Sequence, residues 1–338
     1  MRLDEASVPS DPWASVALPR ELPGEMTAVR VHRFGAPPQV DQLPVPQVGD
    51  GEVLVKMVAS VVSHHDLTVA GGEFAVRPAL PYTPGLEGAG LVARLGEGVA
   101  LDAVAPGSPV RLYGGGLGAS RPGTWAQYVV APARAVLAVP RSLRPDVAAA
   151  CGSVALTAWV GLFDVGDAHA GERLGVSGAT GAVGSLVVQL AIRHGIDDVV
   201  AWVRSKERAR DLPPGVEVLV DDAKVEPPLD LLVDTVGGPL LPGRIEAVRA
   251  GGRAVVIGYT AGQEVCLTIP DFLARDVPLL PLNMMRRRPA RELESRLVDQ
   301  FAAGELKVAT DVVEARNFLA ALGRLQGGGS KGRAVILW

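Results

Sequence analysis

Apolar and polar positions along the chain follow two regimes, and the change falls near Pro145. Before it, short β-branched runs are punctuated by Gly and Pro: Thr27–Arg33, Glu52–Ser60, Gly85–Leu95, Pro109–Leu112, Trp125–Val130 and Val136–Val139. This spacing predicts a compact, barrel-like β domain. Its start is antiparallel, with the proline-rich Pro37–Pro46 between the first two strands. After Pro145 the pattern alternates. Leu174–Val176, Val199–Val203, Glu217–Val220, Leu229–Asp234 and Ala254–Ile257 read as buried strands, and Asp146–Phe163, Lys206–Asp211 and Leu240–Arg249 read as helical. Alternating β and α units predict a parallel sheet covered on both faces. Further on, Leu293, Leu297, Val298 and Phe301 share one side of a helix over Pro289–Ala303, and Val312–Leu325 reads as another helix. The closing run Arg333–Trp338 is a strand expected to rejoin the first domain. The domain reading is a loosely held leader over residues 1–25, a β-rich domain over 26–145, a nucleotide domain over 146–283, and a return over 284–338.

One stretch organises the rest. Arg173–Gly195 reads RLGVSGATGAVGSLVVQLAIRHG, a short apolar strand, then Gly178, Gly181 and Gly184, then a helix with Leu186, Val187, Leu190 and Ala191 on one face. Glycines at this spacing allow a tight turn, close approach of backbone to a pyrophosphate, and close packing of helix on strand. The helix N-terminus then faces the phosphates with free N–H groups. Gly178, Ala179, Thr180, Gly181, Ala182, Val183 and Gly184 are the candidate cradle. The competing reading is a turn that only packs helix against sheet.

The end of the second strand decides the nucleotide. An NAD-preferring site carries an acid there for the ribose 2′-hydroxyl. Here Val203 is followed by Arg204, Ser205, Lys206, Glu207 and Arg208, with no acid at the tip. Arg204, Ser205, Lys206 and Arg208 suit a 2′-phosphate, so NADPH is the expected cofactor. The alternative is a solvated, basic first helical turn.

Composition narrows the class. The chain has 338 residues, 48% hydrophobic, with a net charge of −4. That length suits two domains, and the charge gives no reason to expect nucleic acid or an anionic membrane as partner. No apolar run approaches the roughly 20 residues of a membrane span. No charged segment followed by an apolar one marks a secretory signal near Met1. Cys151 and Cys266 are the two cysteines, too few for a disulfide framework, and Cys151 reads as a small buried residue. A cytoplasmic location is expected.

Taken in order, Pro81–Gly90 (PYTPGLEGAG), Gly123–Val130 (GTWAQYVV), Ala155–Trp159 (ALTAW), Val176–Ala191, Asp230–Gly238 (DLLVDTVGG) and Gly251–Gly258 (GGRAVVIG) resemble the medium-chain dehydrogenase/reductase superfamily, in its zinc-independent, quinone oxidoreductase-like branch. The resemblance runs from about Met26 to Trp338. It implies a Rossmann doubly wound parallel sheet domain plus a GroES-like, mostly β barrel domain, an α/β protein that pairs into homodimers. It places Thr157 near the nicotinamide, Thr235, Val236 and Gly237 beside the adenosine ribose, and Gly258 and Tyr259 beside the nicotinamide. Asn283 and Lys331 read equally as ligand contacts or as surface residues.

Zinc-dependent relatives have a Cys where Ser63 stands and a His where Leu86 stands, and a structural zinc lobe of four cysteines that this chain lacks. A hydroxyl and a leucine replace neither ligand, so no metal is expected. His64, His65 and Asp66 have two readings: a polar turn with Asp66 as helix cap, or a site where Ser63, His64 or His65 donates to a substrate carbonyl. Tyr82, His64 and Tyr259 are candidate proton donors. Three functions follow: an NADPH-dependent reductase of quinones or α,β-unsaturated carbonyls, a biosynthetic enoyl-thioester reductase, or a silent NADPH-binding sensor or scaffold.

Overall fold

A computed structural model describes residues 11–74, 77–100, 104–220, 225–287, 289–327 and 329–338. The chain divides into two compact units, one of Met1–Ser153, Val298–Glu305 and Ala309–Trp338, the other of Val154–Leu297 and Leu306–Val308.

The first unit opens with β1 (Glu25–Arg30) and β2 (Gln39–Pro44), paired antiparallel with Val29 opposite Val40. The proline-rich stretch was expected to separate strands; instead it holds one. β2 lies in a two-stranded sheet with much of its surface in solvent, where prolines at its margins cost no ladder hydrogen bond. β3 (Glu52–Val62) is the central strand of the main sheet, and all but two of its residues are buried, which its Val-rich sequence permits. Then follow α1 (His64–Gly71), β4 (Glu87–Leu95), β5 (Pro109–Tyr113), β6 (Tyr128–Pro132), β7 (Val136–Ala138) and α2 (Pro145–Trp159).

The second unit contains β8 (Leu174–Ser177), α3 (Ala182–Arg193), β9 (Val199–Val203), β10 (Glu217–Val220), β11 (Leu229–Asp234), α4 (Leu241–Ile245), β12 (Val248–Val256), α5 (Ile269–Arg275) and β13 (Leu279–Pro281). Its six-stranded sheet has the order β10-β9-β8-β11-β12-β13, and every pairing is parallel. This is the doubly wound order, with connections leaving β8 in both directions. Leu186, Val187, Leu190 and Ala191 form the buried face of α3, as their spacing requires. Two expected helices differ from the pattern, one in type and one in length. Lys206–Asp211 is a 3₁₀ segment, and α4 ends at Ile245 because Val248 already begins β12.

The chain continues through α6 (Arg291–Ala302), β14 (Thr310–Glu314), α7 (Phe318–Gln326) and β15 (Arg333–Leu337). In the first unit's main sheet β15 pairs antiparallel with β3 and parallel with β14. The helix expected from Val312 starts only at Phe318: Thr310, Val312 and Val313 are β-branched and join the ladder beside Val335 and Ile336. Along the chain, the boundaries of the two units fall within α2, after Ser153, and within α6, before Val298.

Residues 1–10 of the expected leader lie outside the described residues. From Asp11 the leader docks. Trp13 is 1% exposed, its indole N–H donates to Leu143 O at 2.8 Å, and Asp11 pairs with Arg141 at 3.0 Å. One expectation about apolar length also changes. With the π-helical turn Val160–Val165, the helix Pro145–Val165 is long and apolar enough to cross a membrane by length and composition, but 72% of its apolar window is buried in protein.

Candidate active site

In the second unit the tips of β8, β11 and β12 are stitched together. Thr235 Oγ1 donates to Ser177 O at 2.7 Å, and Ile257 N donates to Asp234 O at 2.8 Å. The approach is so close that a Cβ on Gly258 would lie 2.0 Å from Thr235 O. Gly178 begins the turn with φ +71°, a conformation that disfavours side chains. A Cβ on Gly184 would lie 2.2 Å from Gly178 O, so the third glycine lets α3 seat against the turn. α3 begins at Ala182 behind Gly181, with no side-chain cap on its first turn. The N–H groups of Ala182, Val183 and Gly184 therefore have no intrahelical acceptor, the condition under which a helix start serves as an anion donor. A pyrophosphate fits this cradle: it needs bare backbone, donors and no intruding side chain, and all three are present.

The residues named for cofactor binding fall along the carboxyl edge of this sheet. Gly178 to Gly184 follow β8, Arg204 and Lys206 follow β9 and are exposed, Thr235 to Gly237 follow β11, and Gly258 and Tyr259 follow β12. Tyr259 is 49% exposed. Ser205 is engaged locally: its side chain hydrogen-bonds the exposed Glu207, whose carboxyl is held below its usual range by its own backbone N–H and by Ser205. Of the expected 2′-phosphate ligands, Ser205 is thus turned to a neighbour, while Arg204 and Lys206 stand open. Thr157 lies partly buried on α2.

Sequence reasoning missed what anchors the β11 tip. Asp234 is fully buried, accepts from Gly237 N at 2.6 Å, and lies 3.9 Å from Arg244 Nη1. Arg244 also donates to the Ser177 hydroxyl and lies over the Trp202 ring at 5.6 Å. The available signal was an acid ending an apolar run, in LLVD, where a fully buried charge requires a partner.

In the first unit, Ser63 caps α1. Its backbone N–H and hydroxyl both donate to Asp66 Oδ2, at 2.9 and 2.6 Å, and Asp66 N donates back to Ser63 Oγ at 3.3 Å. This is a reciprocal capping box. Leu86 N donates to the other carboxylate oxygen at 3.1 Å. Ser63, expected as a donor to substrate, directs its proton to Asp66, and Asp66 acts as the cap. Burial raises the Asp66 carboxyl above its ordinary value, with the Ser63 hydrogen bonds opposing. His64 stands on the exposed side of the same turn, and local desolvation and the Arg333 charge lower its pKa. His65 packs edge-on against Phe74, ring centroids 4.6 Å apart.

Tyr82 is 7% exposed and sits among Val31, Val69 and Phe34. Among the described residues its buried hydroxyl has no hydrogen-bond partner. Burial and the Asp66 charge push the phenol well above its usual value, so it stays protonated. Cys151 is buried and its thiol is pushed up to about 11 by burial, so it is held as an unreactive thiol. Among the described residues no three His, Cys, Asp or Glu side chains converge as a metal site. Asn283 is a turn cap: its Oδ1 accepts from Met285 N at 3.0 Å and Arg286 N at 3.3 Å.

A doubly wound parallel sheet with a bare glycine cradle, carried in one chain with a mostly antiparallel β unit, defines a class of pyridine-nucleotide enzymes. Comparison with known proteins agrees. Residues 49–141 match the alcohol dehydrogenase GroES-like domain family. The chain is 31% identical to an alcohol dehydrogenase of Rhizobium meliloti, over 92% of this chain and 98% of that one. It is 27% identical to the quinone oxidoreductase of Rattus norvegicus, over 77% and 80% respectively. The solved structure of a thermostable alcohol dehydrogenase from Pyrobaculum aerophilum superposes with a TM-score of 0.77 at 26% identity, covering 93% of this chain and 100% of that one. The chain belongs to the medium-chain dehydrogenase/reductase superfamily and is an NAD(P)-dependent oxidoreductase.

Proposed function

We propose that this protein reduces quinones or α,β-unsaturated carbonyl compounds with NADPH, without a catalytic metal. The observation that carries the reading is the tip of β9, where Arg204 and Lys206 stand exposed and no acid occupies the position that would bind a ribose 2′-hydroxyl. A carboxylate there would repel a 2′-phosphate; two free cations attract it. Against metal chemistry stands the donor set itself, with a leucine at position 86 and a serine at 63 whose hydroxyl is committed to Asp66.

The chemistry that bound NADPH supplies is a hydride, two electrons with one proton, to an electrophilic acceptor carbon, with a second proton completing the reduction. The chain's own part is to bind, orient and donate. The N–H groups at the start of α3 hold the pyrophosphate, and Gly258 keeps the β12 tip clear of side chains. As hydride arrives, negative charge grows on the acceptor oxygen and needs donors. Tyr82 offers a protonated hydroxyl with no other partner among the described residues. His64, lowered in pKa, is a neutral imidazole at pH 7 that can donate one N–H. Ser63 does not serve, for the reason given above.

The same reading includes a homodimer. β13 is an edge strand of the parallel sheet, and Ile269 and Leu273 are 65% and 70% exposed one helical turn apart on α5. An open edge flanked by apolar side chains is paired in stable proteins. A cytoplasmic enzyme fits the two free cysteines. The test follows nicotinamide absorbance, with NADPH against a panel of quinones and enones and with NADP⁺ against simple alcohols, and with light scattering in parallel. Turnover of quinones or enones from a dimer is expected. Oxidation of alcohols alone, or nucleotide binding without turnover on any acceptor, would overturn the activity.

A further inference from the structure

Helical spacing puts Arg244 where an apolar residue belongs. Leu241, Arg244 and Ile245 stand at i, i+3 and i+4 on α4, and all three are buried. Leu241 and Ile245 pack with Trp202 and Leu232 in the second unit's apolar core. Arg244 is on the same face and is 8% exposed. A guanidinium so placed gives up its hydration, and only specific partners offset that cost. Three strand tips supply them. The hydroxyl of Ser177, which ends β8, accepts a hydrogen bond from Arg244. Trp202 in β9 presents its ring to the guanidinium, 5.6 Å away, and Asp234, which ends β11, lies 3.9 Å from Nη1.

All three strands are tied to the glycine turn. Ser177 immediately precedes Gly178, Trp202 O accepts from Ala179 N at 3.2 Å, and Thr235, next to Asp234, donates its hydroxyl to Ser177 O. The Arg244 charge is therefore one residue removed from the start of the cradle. Asp234 opposes it. This carboxylate is 0% exposed; Oδ2 accepts from Gly237 N, and among the described residues Oδ1 has no hydrogen-bond partner. A buried anion beside a pyrophosphate site repels the phosphates, because little water screens it. Arg244 offsets that charge and holds the residue that leads into the turn. A staple that only tied strands together needs no charge, since apolar side chains of similar volume serve as well or better. Seating two negative phosphates gives the buried cation a use.

We infer that Arg244 is a positioning residue for the pyridine nucleotide: it fixes Ser177 at the entry to the glycine turn and offsets the Asp234 charge at the pyrophosphate. The inference concerns phosphates that NADH and NADPH share, so it holds for either coenzyme and any acceptor. Affinity for both is measured by calorimetry on the full chain, with the melting temperature of each variant recorded alongside. R244M should weaken both coenzymes by the same factor, about tenfold, and R244K, which keeps the charge, should stay within about threefold of the unaltered chain. D234N gives the decisive sign. With the anion gone and Arg244 in place, both coenzymes should bind about threefold tighter or more. A pair that only tied strands together would give no such gain. Unaltered affinity in R244M, or no gain in D234N, overturns the inference, and D234N decides alone if R244M does not fold. A chain that takes only NADH loses the NADPH reading and still tests Arg244. A chain that takes neither coenzyme loses the dinucleotide reading and this inference with it.

Discussion

Arg333 Nη2 in β15 lies 2.6 Å from Glu87 Oε1 in β4, with both side chains almost wholly buried. Glu87 also accepts from Ser153 N and Oγ, at 3.3 and 2.6 Å, and lies 3.7 Å from Arg111. Arg333 donates to Ala150 O at 2.9 Å as well, so the middle of α2, the strand β4 and the closing strand share one buried charge cluster. Removing the single anion strands two guanidinium groups in the core. E87A should lower the unfolding free energy by about 3–5 kcal/mol in a denaturant titration. A loss below about 1 kcal/mol would mean that the cluster is solvated or the charges are neutralised elsewhere.

Gly184 admits no side chain. G184A places a methyl against the Gly178 carbonyl, at 2.2 Å before relaxation, and pushes the start of α3 off the turn. NADPH association should be lost while the far-ultraviolet circular dichroism is kept. Undiminished binding would show that phosphates are held elsewhere.

Arg204 and Lys206 separate the two coenzymes. R204A/K206A should weaken NADPH about tenfold or more and leave NADH almost unchanged, because only NADPH presents charge at that place. Equal losses for both coenzymes would assign the two side chains to general stability rather than to the 2′-phosphate.

His64 makes a pH-dependent contribution with a definite sign. Its pKa in the folded chain lies below the 6.5 of the unfolded chain, through desolvation and the Arg333 charge. The folded state therefore binds fewer protons between that lowered value and 6.5, so stability falls as the pH falls through this window. H64Q should flatten the part of the stability profile just below pH 6.5 and leave the part above it unchanged. An unchanged slope in H64Q would place the imidazole in open water.

The parallel sheet was legible in the sequence because strands buried on both faces read as apolar runs: Val199–Val203 and Leu229–Asp234 have the limits expected of them. The glycine turn was legible because its chemistry is local. What stayed hidden depends on neighbours distant in sequence. Val312 and Val313 lie at a spacing that also fits the helix of Leu322 and Leu325, and only the ladder to β15 makes them a strand. Asp66 as a helix cap, by contrast, was readable locally, because its partner Ser63 lies three residues away. The pairing of Arg173 with Asp198 and Glu217 has no counterpart in composition, because it arises only once three strands lie side by side.

Hydride transfer from NADPH without a metal can be checked by chelation. The protein is dialysed against a strong chelator and then assayed with NADPH and a quinone or enone. The same rate before and after dialysis, with no gain on adding zinc, is expected. A rate that collapses on chelation and returns with zinc would contradict it.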